Sequence, residues 1–112
     1  METGLRDKTI LVTGASGAIG SEISLAFDAE KARTILVYNR GHDRIQELSK
    51  RLTSPHIMVQ ADLAKENDVN VLFEASEKAF GRIDVLVSCA GVWSVAKSIA
   101  DRSLVGANFY CW

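Results

Sequence analysis

Three evenly spaced glycines follow a short apolar run near the start of the chain. Residues 9–20 are TILVTGASGAIG, so Gly14, Gly17 and Gly20 lie three residues apart where the run ends and a helical pattern begins. A strand that passes through such a turn into a helix directs unpaired backbone N–H groups, and the positive end of the helix dipole, at one point. The spacing therefore predicts a site for an anionic group such as a diphosphate.

Each glycine has a separate predicted role in that site. Gly14 permits the turn, Gly17 leaves room for a phosphate to approach the backbone, and Gly20 lets the helix pack close to the strand. Alternatively, the three glycines only shape a tight turn, a reading that the flanking strand and helix make weaker. The candidate diphosphate-binding residues are Gly14, Ser16, Gly17, Ala18, Ile19 and Gly20.

A second polar position follows the next apolar run. Asn39 and Arg40 lie about twenty residues beyond Gly20. An acidic residue there would accept hydrogen bonds from the ribose hydroxyls of NAD and repel a 2′-phosphate. A neutral Asn39 followed by the guanidinium of Arg40 suits that phosphate instead. The pair predicts NADP rather than NAD as the cofactor; alternatively, Arg40 is an ordinary solvated cation in a loop.

Apolar runs and helical segments alternate along the chain. Strands are predicted at Thr9–Thr13, Thr34–Asn39, His56–Ala61 and Ile83–Ala90. The first helix should bury Ile19, Ile23, Ala26 and Phe27, the second Ile45, Leu48 and Leu52, and Gly81 should end the third. A weaker helical pattern runs from about Ser98 to the end. The predicted fold is an α/β, Rossmann-like, doubly wound parallel sheet with strand order 3-2-1-4, the later strands missing.

Composition places the chain among single-domain proteins and excludes several partners. The 112 residues are 47% hydrophobic and 24% charged, which suits one packed domain over residues 1–112. A net charge of −1 argues against nucleic acid or an anionic membrane as partner. No apolar run is long enough for a membrane span, and the start lacks the apolar core of a signal peptide. The two cysteines do not have metal-ligand spacing, so we expect no metal site and a cytoplasmic location.

Two motifs together resemble the short-chain dehydrogenase/reductase family. These are TGASGAIG at residues 13–20 and SCAG at residues 88–91, although Ala18 stands where the single-domain branch of that family usually has a glycine. The resemblance implies that Asp62 and Leu63 contact the adenine, and that Ala90 and Gly91 lie beneath the nicotinamide-side ribose. Alternatively, Asp62 is the N-cap of the following helix.

The resemblance also implies a catalytic set that this sequence largely lacks. Family enzymes transfer a hydride between nicotinamide and a carbonyl or alcohol, using a tyrosine with a lysine four residues later. Here Tyr38 is followed at that distance by His42, and Tyr110 lies two residues from the end. Asn108 matches the family's structural asparagine, or has no role. We therefore expect an NADP-dependent oxidoreductase, with 3-oxoacyl reduction as a background expectation, truncated before its Tyr-Lys pair and inactive by itself.

Two alternative functions remain open at this point. One is a dinucleotide-binding module without catalysis. The other is an interaction module: without a fifth strand, the predicted fourth strand forms an exposed sheet edge, and such edges pair with other chains. A homo- or hetero-oligomer through that edge is the corresponding expectation.

Overall fold

A parallel β-sheet with helices on both faces forms the core of the molecule. The computed structural model describes residues 4–89 and the backbone of residues 108–111. The strands are β1 (Thr9–Thr13), β2 (Arg33–Tyr38), β3 (His56–Gln60), β4 (Val85–Ser88) and β5 (Asn108–Cys111). The helices are α1 (Ala18–Ala29), α2 (His42–Arg51) and α3 (Glu66–Phe80). The sheet order is β3-β2-β1-β4-β5, so the predicted order 3-2-1-4 is confirmed and extended by one strand.

The fifth strand corrects two expectations. Helical structure was predicted to continue to the end of the chain, but residues 108–111 form a strand that pairs in parallel with β4, Asn108 opposite Val85. Aromatic residues favour strands, and the backbone of β4 offers a partner that no local pattern reveals. The expected exposed edge at β4 is therefore wrong, because β4 lies between β1 and β5.

Both faces of the sheet are covered, which explains why its strands are almost continuously apolar. Ile10 and Val12 of β1 point to the face that carries α1 and α2, where Ile45, Leu48 and Leu52 of the second helical segment pack as predicted. Leu11, between them, points to the opposite face. There it packs in a cluster with residues of the other strands, of the segment just after β3 and of α3: Ile35, Val37, Val59, Ala61, Val69, Leu72 and Leu86. In the described part of the chain, no helix is long and apolar enough to cross a membrane.

The buried face of α1 differs from the predicted one. Gly20, Ser24 and Asp28 face the sheet, whereas the Ile19 side chain is 61% exposed. Ala26 is also exposed. Ile23 and Phe27 are half-buried and pack against the cluster that contains the apolar residues of α2. The reason is the close approach of α1 to β1, which only small residues at the contact permit. Gly81 ends α3 with φ of +77°, as predicted.

A buried carboxylate joins the end of α1 to the segment that leads into β3. Asp28 accepts hydrogen bonds from the backbone N–H groups of Thr53, at 3.1 Å, and Ser54, at 2.8 Å. It also accepts one from the Thr53 hydroxyl at 3.1 Å. Burial raises the pKa of Asp28, but the hydrogen bonds from Ser54 and Thr53 favour the charged form, and the pKa is lowered overall. The ionised carboxylate thus stabilises this corner of the fold.

We predict that Asp28→Asn lowers the free energy of unfolding by roughly 1–3 kcal/mol at neutral pH, because an amide replaces the charged acceptor of several hydrogen bonds. The pKa of Asp28 is lower in the folded than in the unfolded chain. Its contribution is therefore complete above the unfolded pKa of about 3.9 and disappears as pH falls through the folded pKa. Urea unfolding of both proteins at several pH values between about 7 and 3 measures this.

The matched control is Asp43→Asn, which alters an exposed aspartate in the first turn of α2. This control should leave the free energy of unfolding within about 0.5 kcal/mol of the original. A stability difference for Asp28→Asn that stays constant as the pH falls would contradict the assigned role of the carboxylate.

Candidate functional site

The glycine turn lies at the carboxyl end of β1 and is anchored to the neighbouring strand. Gly14 adopts φ of +66°, a left-handed conformation that glycine adopts without strain. The next residue, Ala15, donates its backbone N–H to the carbonyl of Val37 in β2 at 3.0 Å. The N–H of Gly17 turns back to the carbonyl of Gly14 at 3.1 Å. The turn therefore has a fixed shape at the carboxyl edge of the sheet.

Gly20 marks the tightest contact of the turn. A Cβ at this position would lie 2.2 Å from the carbonyl oxygen of Gly14 and 3.0 Å from Cα of Ala15. No side chain fits there, which agrees with the close packing predicted for Gly20. Gly17 differs, since its Cβ would lie 3.4 Å from the same oxygen, close to an ordinary contact. Packing within the protein therefore leaves room for a Cβ atom at position 17.

The first turn of α1 carries free hydrogen-bonding capacity. Gly17 is its N-cap, with no side-chain cap and no acidic residue in the first turn. The first N–H group that donates a hydrogen bond within the helix is that of Ser21, to the carbonyl of Gly17 at 2.9 Å. The preceding N–H groups, of Ala18, Ile19 and Gly20, have no acceptor within the helix. This end of α1 can bind an anion through its backbone.

A cavity of about 200 Å³ lies next to the glycine turn, at the carboxyl ends of β2 and β3. It brings together three of the residues predicted from the sequence, Asn39, Asp62 and Leu63, with Gly14. The remaining lining residues are mostly apolar: Val37, Tyr38, Ala61 and Ala64. A flat, largely apolar group fits such a pocket with polar groups at its rim.

Asp62 does not cap the helix that follows it. The N-cap of α3 is Lys65, whose side chain makes no capping hydrogen bond. One carboxylate oxygen of Asp62 instead accepts the backbone N–H of Ala64 at 3.0 Å, which closes a local Asx turn. The alternative that Asp62 is an N-cap is therefore wrong. Its other oxygen accepts no hydrogen bond from residues 4–89, so it can accept one from a ligand.

The loop after β2 presents Arg40 to solvent. The Arg40 side chain is exposed, and it has no ion pair with any residue in the described ranges. Its carbonyl accepts a hydrogen bond from the Ser16 hydroxyl at 2.8 Å, and the carbonyl of Asn39 accepts one from the Gln60 side-chain amide at 3.2 Å. No motif in the sequence marks Gln60; its one signal is that it is a polar residue at the end of a strand.

The carboxyl end of β4 is joined to the same turn region. The N–H of Cys89 donates to the hydroxyl and the carbonyl of Thr13, at 3.2 and 3.3 Å. The hydroxyls of Thr13 and Ser88 are 3.5 Å apart. Ala90 and Gly91, predicted to lie beneath a ribose, are outside the described residues. Because the strands are parallel and Asn108 is opposite Val85, its backbone is at the far end of the sheet from the glycine turn.

The family comparison covers most of the chain. Residues 8–105 match the family model described as short chain dehydrogenase. An uncharacterized short-chain type dehydrogenase/reductase of Sinorhizobium fredii is 34% identical over 97 residues, 87% of this chain and 18% of its own length. The chain spans between 18% and 43% of the length of the curated relatives compared.

Solved structures show the same fold. L-sorbose reductase from Gluconobacter frateurii, complexed with NADPH and L-sorbose, superposes with a TM-score of 0.70 at 31% identity, over 78% of this chain and 34% of that one. The 3-ketoacyl-(acyl-carrier-protein) reductase from Brucella melitensis, complexed with NADH, gives a TM-score of 0.71 at 31% identity, over 79% and 36%. The part of each enzyme that is similar is about one third of its length.

The contrast between Gly20 and Gly17 generates a stability prediction. We predict that Gly20→Ala lowers the free energy of unfolding by roughly 1–3 kcal/mol, since the added methyl group forces α1 away from Gly14. Gly17→Ala, at an extended N-cap backbone with room for Cβ, should change it by less than about 1 kcal/mol. Chemical unfolding of the two variants under the same conditions tests this, and equal losses would contradict the assigned packing role of Gly20.

Proposed function

The chain belongs to the short-chain dehydrogenase family, and on that premise we propose that it forms the NADP-binding part of an oxidoreductase. The reaction of the whole protein is hydride transfer between nicotinamide and a carbonyl or alcohol. The observation that carries this proposal is the uncapped N-terminus of α1, held against Gly14 beside the cavity at the ends of β2 and β3.

The diphosphate of the cofactor binds at the start of α1. Its negative charge is stabilised by the N–H groups of Ala18, Ile19 and Gly20 and by the helix dipole. Gly17 faces this group without a side chain, which accounts for a glycine where the interior of the protein would accept alanine. Hydrogen bonds to a charged group are each worth about 1.5–3 kcal/mol, so a few of them account for most of the binding energy at this end of the cofactor.

The adenine occupies the cavity between the ends of β2 and β3. Leu63 and the neighbouring apolar residues contact the ring, and the unused carboxylate oxygen of Asp62 accepts a hydrogen bond from the adenine amino group. That hydrogen bond is compatible with the Asx turn, because the turn occupies the other oxygen. Asn39, at the rim of the cavity, lies beside the adenosine ribose.

Arg40 selects NADP over NAD. The solved relatives include one with NADPH and one with NADH, so family membership leaves the choice to individual residues. Here the residue at the end of β2 is neutral, and the guanidinium that follows it has no ion pair within residues 4–89. Such a group is available for a charged, forked hydrogen bond to the 2′-phosphate.

The chemistry of the reaction itself belongs to the bound nicotinamide, which supplies or accepts the hydride. Ala90 and Gly91 are proposed to lie beneath its ribose. Asn108 is proposed only as the counterpart of the family's structural asparagine. The 112 residues contain no tyrosine with a lysine four positions later, so the general acid that the resemblance implies is not within this stretch. A 3-oxoacyl group is the substrate class that we propose as a starting point for assays.

We predict that Arg40→Ala weakens NADPH binding about 10-fold and changes NADH binding less than about 2-fold, because the lost hydrogen bonds serve the 2′-phosphate alone. Fluorescence titration of the purified chain with each nucleotide measures both values. Lys50→Ala, which removes another exposed cation, near the end of α2, is the control and should change neither. Equal affinity of the unaltered chain for the two nucleotides would contradict the assignment of Arg40.

A second prediction separates binding from catalysis. The purified 112-residue chain should bind NADPH but show no carbonyl-dependent oxidation of it, since general acid–base catalysis alone is worth about 10²–10⁴-fold in rate. The measurement is the absorbance of NADPH with 3-oxoacyl, sugar and simple ketone substrates. Turnover by this chain would mean that another group replaces the tyrosine. Absence of nucleotide binding at millimolar concentration would overturn the proposed function.

A further inference from the structure

The loop between β2 and α2 is held from both neighbouring strands. The loop comprises residues 39–41, and β2 lies between β1 and β3 in the sheet. From the β1 side, the Ser16 hydroxyl donates to the carbonyl of Arg40 at 2.8 Å. From the β3 side, the Gln60 side-chain amide donates to the carbonyl of Asn39 at 3.2 Å. Two consecutive carbonyls of the loop are therefore bound by side chains from opposite directions.

Gly41 makes the contact with Ser16 possible. It adopts φ of +84°, and a Cβ there would lie 3.0 Å from both Cβ and Oγ of Ser16. A side chain at position 41 would thus be strained by the backbone conformation and would push against the hydroxyl that holds Arg40. The glycine lets the turn after β1 and the loop after β2 come into direct contact.

Neither hydrogen bond is needed to build the core. Ser16 is half-buried, and Gln60 and the loop residues are exposed, whereas the sheet is stabilised by the apolar clusters on its two faces. The two hydrogen bonds instead fix the backbone from which the Arg40 side chain extends. A long side chain that grips a phosphate loses conformational freedom, and a backbone already in place reduces that cost.

We propose that Ser16 and Gln60 are positioning residues that determine NADP specificity through Arg40. They fix the backbone of the loop so that the guanidinium meets the 2′-phosphate without a further ordering cost. This inference rests on the proposed function, and in particular on the role of Arg40. Ser16 was predicted from the sequence as a residue that contacts the diphosphate, whereas here it acts on the adenosine end of the cofactor through the loop.

A double-mutant cycle tests the inference. Ser16→Ala and Gln60→Met each remove one donor while keeping the size of the side chain similar, and each is made with and without Arg40→Ala. In the chain with Arg40, each should weaken NADPH binding about 3- to 10-fold, the effect of one hydrogen bond, and NADH binding less than about 2-fold. In the Arg40→Ala background, each should change NADPH binding less than about 2-fold.

Ser21→Ala is the matched control. Ser21 lines the same groove between α1 and α2 as Ser16, but its hydroxyl donates to the carbonyl of Ala18 within its own turn, at 3.0 Å. This variant should bind both nucleotides like the original chain. Thermal unfolding of every variant accompanies the titrations, and the expected midpoints lie within a few degrees of one another.

Four outcomes overturn the inference. An equal loss of NADPH and NADH affinity in Ser16→Ala would assign the hydroxyl to the diphosphate. A loss of NADPH affinity that persists without Arg40 would mean direct contact with the nucleotide. Unchanged affinities in both variants, with Arg40→Ala still losing NADPH, would remove the positioning role and leave the proposed function intact. If the unaltered chain itself does not prefer NADPH, the proposed role of Arg40 fails, and this inference fails with it.

Discussion

The close approach of Gly20 to the carbonyl of Gly14 is the constraint on which the rest of the site depends. No side-chain carbon fits between them, so the first turn of α1 lies directly against the end of β1. That contact places the uncapped helix start at the carboxyl edge of the sheet. Within the same turn, Ser16 donates a hydrogen bond to the loop after β2. The absence of a side chain at Gly20 thus sets the position of the backbone donors relative to the sheet.

Backbone groups and side chains have different roles in the proposed site. Backbone N–H groups at the start of α1 can bind an anion without any side chain, so in the proposed function they serve NAD and NADP alike. In the proposed function, selectivity between NADP and NAD rests on Arg40, whereas Asp62 contacts the adenine that both cofactors share. Since all strands run in one direction, their carboxyl ends and the loops that follow lie along one edge. The two solved relatives, one complexed with NADPH and one with NADH, share this arrangement of the sheet.

Local features and the order of the first four strands were predictable from the sequence, whereas the contact of α1 with Gly14 and the pairing of residues 108–111 were not. The bounds of β1, the buried stripe of α2 and the cap at Gly81 follow from spacing within a few residues, and all three were confirmed. The buried face of α1 was predicted wrongly. Because Gly20 contacts Gly14, the face of the helix with Gly20 lies against the sheet, and Ile19 is exposed to solvent. The strand at residues 108–111 depends on a partner, β4, that lies some twenty residues earlier in the chain.

In the candidate site, too, some predictions were confirmed and some contacts were not predicted. Asn39, Asp62 and Leu63 meet Gly14 around one cavity because β1, β2 and β3 are neighbours in the sheet, as the sequence predicted. Whether Asp62 capped α3 could not be decided without knowing where that helix begins, and Lys65 holds the cap position instead. The hydrogen bond from Gln60 to the carbonyl of Asn39 joins two strands, and no spacing within either one reveals it.

The central position of β1 has a kinetic consequence. One of its neighbours, β2, follows after a single helix, but the other, β4, follows only after the whole of β2, α2, β3 and α3. The hydrogen bond from the N–H of Thr9 to the carboxylate of Asp84 closes a separation of 75 residues. Chain closure over such a span carries an entropy cost before any contact offsets it, and topologies rich in distant pairings fold slowly. During biosynthesis the β1 edge that β4 will cover therefore stays open until most of this segment has emerged from the ribosome.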